Sequence, residues 1–239
     1  MILKTEAIVL RTTPYGDNSL VTNVYTRNFG IRSFLVRAGN GKTSKNQKAL
    51  FQPLQQIEIV FYQKAGRDLQ FISETRLLSY YRHLDQDPEA ITFACYLLEV
   101  FRNCLKEEEE NESLFVFLHE TLVYMDEHAG SRVSLLLHFL MHFTRYLGFM
   151  PYISAGAEAT SIYFDIESGK VEDNPFISDA ASGVILQLLR SNRNACIDII
   201  IAPALRREVM HRIMQYYRFH VEGFKEPGSV EVLELVFRS

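Results

Sequence analysis

The chain is poor in the residues on which disulfide-built folds and many enzymes depend. Three cysteines, Cys95, Cys104 and Cys196, are spread over 239 residues with no Cys-x-x-Cys pair among them. That spacing argues against a cysteine zinc site and a disulfide framework, and leaves all three the expected role of small buried hydrophobes. No uninterrupted apolar run approaches the ~20 residues needed to cross a bilayer, and no basic start leads into an apolar stretch. A cytosolic globular protein is expected, and a hydrophobic content of 47% is ample for a core. No P-loop, dinucleotide fingerprint or nucleophile elbow occurs. His138 and His142 have the i, i+4 spacing of a metal pair, but Phe139 stands where a His-Glu-x-x-His protease has its glutamate. Such a pair is expected to be packed and hydrogen-bonded within its helix, with no metal.

Anions are scarce in the first third of the chain. Residues 1–80 hold eleven Lys and Arg against five Asp and Glu, a net of +6, whereas residues 81–239 hold fourteen against twenty-four, a net of −10. Between Arg37 and Glu58 there is no anion, and Lys42, Lys45 and Lys48 fall within one polar segment. A basic module joined to an acidic body is the composition of a polyanion reader whose larger part does something else.

Apolar and polar residues alternate through the basic part. Thr5 to Thr12, Ser19 to Thr26, Ile31 to Arg37, Leu54 to Tyr62 and Leu69 to Ser79 read as five short strands, separated by turn residues such as Tyr15-Gly16-Asp17-Asn18. The long connection from Ala38 to Lys48, with Gly39, Asn40 and Gly41, reads as an exposed loop. Five strands with a long third connection match a small barrel of the OB type, and a sandwich or SH3-like barrel satisfies the same pattern.

Beyond Asp85 the period becomes helical. Asp87 is a candidate N-cap with Pro88 at the first helical position, and Phe93, Tyr96, Leu97, Val100, Phe101 and Leu105 form one apolar face. The run Glu107 to Glu110 reads as a solvated helix end. Further helices are expected over Ser113 to His128, Ser131 to Leu147, Ser178 to Leu189, Pro203 to Phe219 and Ser229 to Phe237, with a hairpin-like insertion at 152–177. The third, Ser131 to Leu147, is apolar nearly all round and suits the centre of a bundle. The fold class is therefore α+β: an N-terminal five-stranded OB-fold barrel over residues 1–80, then an α-helical bundle domain over 81–239.

Particular residues add to this pattern. Ala7-Ile8-Val9-Leu10-Arg11, Tyr15-Gly16-Asp17, Val21-Thr22, Thr26, Gly30 and Val36-Arg37 precede the lysine loop, and Leu50-Phe51-Gln52-Pro53 follows it. Tyr96-Leu97-Leu98-Glu99 and Leu147-Gly148-Phe149-Met150-Pro151 occur in the helical part. In this order they resemble the bacterial RecO family of recombination mediators, over almost the full length. The resemblance implies an OB-fold joined to a helical domain, without enzyme activity. It implies binding of single- and double-stranded DNA, annealing of strands coated with single-stranded-DNA-binding protein (SSB), and loading of RecA together with RecR, in a cytoplasmic, nucleoid-associated setting. Some family members carry a four-cysteine zinc site after the Gly-Phe-x-Pro segment, but Tyr152-Ile153-Ser154-Ala155-Gly156 holds no cysteine. No metal or other cofactor is expected.

An OB barrel tracks phosphates with cations and stacks bases on aromatic rings. Arg11, Arg27, Arg32, Arg37, Lys42, Lys45 and Lys48 are the candidate phosphate contacts, and Tyr15 and Phe29, on turns, the candidate stacking rings. Phe34, Phe61 and Phe71 are expected in the barrel core. The family likeness further implies a helical-domain site for the acidic, Phe-ending SSB tail, for which Arg132, Arg145, Arg206 and Arg207 are the candidates; pairing with surface glutamates is the competing role for each. A scaffold whose barrel binds another protein is the alternative function, and a hydrolase built on His138 and His142 the third.

Overall fold

A computed structural model of the chain describes residues 1–16, 18–37, 48–64, 66, 69–84, 86–106, 108–157 and 161–237. Five strands open the chain: β1 (Ile2–Pro14), β2 (Ser19–Thr26), β3 (Gly30–Arg37), β4 (Gln56–Tyr62) and β5 (Gln70–Leu77). They close in the order β1-β2-β3-β5-β4, which is the OB-fold arrangement. All neighbours are antiparallel except β3 and β5, which run parallel and pair only through Phe34 with Gln70 and Leu35 with Phe71. The alternation along the strands supplies the core. Val24, Phe34, Val36, Ile57, Ile59 and Phe61 point inward, with Ala7 and Val9 from β1.

Strand β1 departs from simple alternation, because Ala7, Ile8, Val9 and Leu10 are all buried. The register with β2 shifts between Val9 and Arg11, so the strand bulges there. Bulges of this kind bend a strand and help close a barrel. The lysine loop, including Lys42 and Lys45, lies outside the described residues. Where the chain returns, Leu54 N–H donates to the Val9 carbonyl at 2.7 Å and Thr12 Oγ1 donates to the Phe51 carbonyl at 2.7 Å.

Beyond the barrel come α1 (Pro88–Cys104), α2 (Glu112–Glu127), α3 (Arg132–Phe143), the short strands β6 (Tyr152–Ile153), β7 (Ile162–Phe164) and β8 (Lys170–Asp173), α4 (Ala180–Arg190) and α5 (Arg193–Cys196). The chain ends with α6 (Pro203–His220) and α7 (Val230–Val236). The cap expected at Asp87 is present, since Glu89 N–H donates to Asp87 Oδ1 at 3.1 Å, and Asp179 caps α4 by accepting from Ser182 N–H at 2.7 Å. The hairpin expected near Ser161 to Val171 is β7 with β8, to which β6 adds in parallel. The short helix α5 was not foreseen, since four residues leave no period to read.

Contacts divide the chain into two compact units, and the division does not follow secondary structure. One unit comprises Met1–Tyr81 with Leu105–Leu122, and the other Arg82–Cys104 with Val123–Ser239. Within the first, the opening of α2 packs on the barrel. The Tyr25 and Phe115 rings stack with centroids 6.4 Å apart. Gln56, fully buried, donates to the Tyr81 hydroxyl at 2.7 Å and shares a hydrogen bond with the His119 ring. Tyr81 in turn donates to the Leu54 carbonyl at 2.9 Å. A buried polar network with every member engaged holds its parts in one arrangement.

In the second unit α3 is the central helix: Leu135, Leu136, Leu137, Phe139, Leu140, Met141 and Phe143 are all buried. Phe101 of α1 sits 5.6 Å from Phe139, and the Tyr217 hydroxyl donates to the Leu140 carbonyl at 2.7 Å. His138 and His142 stack at 4.1 Å, their Nε2 atoms 3.2 and 3.1 Å from the Ser191 and Leu188 carbonyl oxygens at the end of α4. They act as packed rings at a helix terminus. Burial, with the neighbouring ring as a lesser cause, pushes His138 down to about 3, so it is neutral at pH 7. Gly169 adopts φ of 69°, and a Cβ there would stand 2.6 Å from the Tyr216 hydroxyl. One expectation about small residues is corrected: Cys104 and Cys196 are buried, but Cys95 is exposed, because it falls on the outer face of α1.

Candidate nucleic-acid interface

Among the described cations of the barrel, Lys4, Arg27, Arg32 and Arg76 are already paired within the first unit. Glu58 takes both Lys4, at 2.9 Å, and Arg76, at 2.5 Å. Arg27 bonds Glu6, at 2.9 Å, and also Glu112, while Arg32 reaches Glu108 at 3.1 Å. Of the candidate phosphate contacts, Arg27 and Arg32 are therefore neutralised, a pairing invisible in the sequence because the partners lie far along the chain. Arg11, Arg37 and Lys48 are exposed and carry no ion pair among the described residues. Lys64 shares that condition, and the sequence reading had not singled it out.

Two of these free cations flank a groove. About 610 Å³ of open volume is lined by Arg37, Tyr62, Lys64, Gln70, Phe71, Ile72 and Ser73. It arises because Tyr62 of β4 lies opposite Phe71 of β5, so the two rings share one face of the sheet. Tyr62 is 49% exposed. The Arg37 guanidinium lies 5.4 Å from the Phe71 ring centre, a cation–π contact that holds the charge at the groove wall. Gln70 braces the β4–β5 loop: Lys64 N–H donates to its Oε1 at 2.9 Å, and its Nε2 donates to the Lys64 carbonyl at 3.0 Å. Lys64 and Gln70 also border a second hollow of about 580 Å³ that runs past Phe29, Ile31 and Arg32. This second hollow exists because β3 pairs with β5 at only two positions, leaving Ile31 to Ser33 unpaired on that side.

Two aromatic expectations change. Phe71 is not a core residue: it is half-buried and lines the groove. Phe29, expected on an open turn, is half-buried and sets its ring edge-on to Phe61 at 5.7 Å, because the β2–β3 turn folds over the barrel mouth. Tyr15 is 60% exposed. Tyr62 was missed because it follows Phe61 at the end of an alternating run, where its outward parity carries no sign that a ring stands opposite.

The second unit has a cleft of its own. About 360 Å³ is lined by Asp87, Ala129, Gly130, Arg132, Val133, Arg206 and Val236, among others, and it adjoins a hollow of about 120 Å³ bordered by Val133, Ile197, Ile199, Ile200, Ile201 and Arg206. Arg132 is not the exposed rim cation that was expected. It is 2% exposed, with Nη1 donating to Asp87 Oδ2 at 2.8 Å and Nε to the Met125 carbonyl at 3.2 Å, since it opens α3 beneath the cap of α1. The Arg132 guanidinium holds the Asp87 carboxyl below the usual carboxylate range. Its Nη2 is buried without a partner among the described residues. Arg206 donates to the Ile201 and Phe237 carbonyls, at 3.1 and 3.2 Å, and so lies along the cleft rather than out in water. Arg207 pairs with Glu234 at 3.0 Å. Arg145 is exposed and lines neither hollow.

A closed five-stranded barrel of this strand order, carrying a groove of cations and rings and joined to a helical unit, defines an OB-fold protein of mixed α and β class. Comparison with known proteins narrows the class. Residues 1–81 match the family model described as Recombination protein O N terminal, and residues 85–228 the model Recombination protein O C terminal. Together the models span most of the chain, which belongs to the RecO family of DNA repair proteins. Curated relatives named DNA repair protein RecO include those of Phocaeicola vulgatus, 31% identical over 242 residues, and Flavobacterium psychrophilum, 30% identical over 247. The relative from Christiangramia forsetii is 28% identical over 242 residues, and in all three cases the match covers 99% of this chain and 100% of the relative. Among the described residues no helix is long and apolar enough to cross a membrane.

Proposed function

We propose that the protein is a non-catalytic recombination mediator that holds single-stranded DNA along the Arg37–Tyr62–Lys64–Phe71 groove, anneals complementary strands coated with SSB, and with RecR helps load RecA. The observation that carries this reading is the conjunction in that groove of two unpaired cations with two accessible rings, the chemistry by which single strands are bound without sequence preference. Arg11, Lys48, Lys42 and Lys45 extend the phosphate track in this proposal, and Tyr15 is a further stacking ring; duplex DNA is met by the same charges without base readout. Arg27 and Arg32 join only if their carboxylate partners give way.

The helical cleft fits the SSB tail in the same proposal. Ile199 to Ile201 and Val133 receive the terminal phenylalanine, while Arg206 at the cleft receives its carboxylate. Annealing of complementary oligonucleotides coated with SSB tests the whole reading. The wild type should anneal them, and a variant with Arg37, Lys42, Lys45 and Lys48 changed to Glu should not. An inactive wild type removes the mediator reading, and an unimpaired variant removes the phosphate track. Salt-independent behaviour of the barrel toward DNA would instead favour a protein-binding scaffold.

A further inference from the structure

The acidic run that precedes α2 has a position that a solvated helix end does not require. Glu108 is held at two points by one arginine: Arg32 Nη1 donates to its carboxylate at 3.1 Å and Nη2 to its main-chain oxygen at 3.2 Å. Glu108 also borders the 580 Å³ hollow, together with Arg32, Lys64 and Gln70. Glu112, at the start of α2, takes Arg27. The segment thus neutralises Arg32, which borders the hollow beyond Lys64, and shares Arg27 with Glu6. The Arg32–Glu108 pair is open to water, at 39% and 73% side-chain exposure, so it adds little to stability and is easily exchanged for another anion. A phosphate offers Arg32 the same bidentate geometry that the carboxylate and carbonyl now fill.

We propose that the segment Glu108 to Glu112 is a built-in competitor for DNA: it holds Arg32 in the second hollow, which shares Lys64 and Gln70 with the groove, and must be displaced before a strand can extend past Lys64. The inference rests on the single-strand reading given above. In the protein at rest the phosphate track ends at Lys64. A strand that reaches past Lys64 exchanges a carboxylate for a phosphate at Arg32, so the segment weakens binding of strands long enough to reach it. Such a competitor keeps the complex exchangeable, which a protein that hands DNA on requires.

Titration of a labelled oligothymidylate of about 20 nucleotides, at several salt concentrations, tests this in the full chain. Changing Glu108, Glu109 and Glu110 to Gln should free one further phosphate contact. With a salt slope of roughly 0.7 per contact on single strands, that is about fivefold tighter binding at 0.1 M salt and a slope steeper by the same ~0.7. The gain should vanish when Arg32 is also changed to Ala. Binding within twofold of wild type, or an equal gain in the Arg32→Ala background, overturns the competitor while leaving the groove intact. A wild type that does not bind the oligonucleotide overturns the single-strand reading, and the competitor with it.

Discussion

Changing Asp126 to Ala should cost the protein much of the stability of its helical unit. Asp126 is 5% exposed, and its carboxylate accepts from three consecutive main-chain N–H groups, those of Arg82 at 2.8 Å, His83 at 2.8 Å and Leu84 at 2.9 Å. These are the residues with which the second unit begins. Burial works against the charge, but the three donors outweigh it and hold the carboxyl below its ordinary range. Hydrogen bonds to a charged acceptor are worth ~1.5–3 kcal/mol each, and orphaned donors cost ~1–3 kcal/mol where water cannot reach. Leu84 is buried, whereas Arg82 and His83 are exposed and their N–H groups can be rehydrated in part. The expected loss for Asp126→Ala is therefore about 2–4 kcal/mol, less than the sum of three bonds. Asp126→Asn keeps one carbonyl oxygen without the charge and should lose roughly half as much. Urea unfolding followed by helical circular dichroism measures both, since the chain has no tryptophan to report by fluorescence. An alanine variant within ~0.5 kcal/mol of wild type would refute the idea that this carboxylate organises the segment.

Other expectations follow from the same geometry. Tyr62→Ala and Phe71→Ala should each weaken single-strand binding by ~1–3 kcal/mol, the usual worth of one stacked base, without changing the thermal midpoint by more than a few degrees; fluorescence anisotropy and calorimetry check the two halves. His138, held near 3 in the fold against ~6.5 in an open chain, leaves the unfolded state binding the extra proton between those values. Its contribution is thus fully present above about pH 6.5 and is lost as pH falls toward 3, by ~1.4 kcal/mol per pH unit, with His142 acting in the same direction. Urea midpoints at pH 7 and 5.5 should differ accordingly, and His138→Gln should flatten the profile. Gly169→Ala should destabilise by about 1–3 kcal/mol, since it combines a positive φ with a contact of 2.6 Å to the Tyr216 hydroxyl, and thermal unfolding reports it.

The strands were legible because their alternation is local: Ser19–Thr26 was expected and observed at the same residues, and Asp87 announces its helix by short-range capping. Long-range consequences were not legible. Nothing near Arg27 or Arg32 in the chain signals that Glu112 and Glu108 neutralise them, because those carboxylates arrive from the opening of α2. Phe71 looked like core by parity, yet β3 and β5 pair so briefly that its ring stays at an open groove. Arg132 looked like one more surface charge, since burial of a guanidinium depends on Asp87 being delivered by another helix. The helical boundary told the same story. Period alone assigned Leu105–Leu122 to the helical body, whereas the compact units group it with the barrel residues.

The central claim is that DNA is held by the free cations of one groove, and the salt dependence of binding tests it most directly. Oligothymidylate affinity should be measured from low to moderate salt for the wild type and for Arg37→Ala with Lys64→Ala. Removing two phosphate contacts should reduce the slope of log affinity against log salt by ~1.4, with a weaker complex at every concentration. A slope unchanged by the double substitution would place the bound strand elsewhere on the protein.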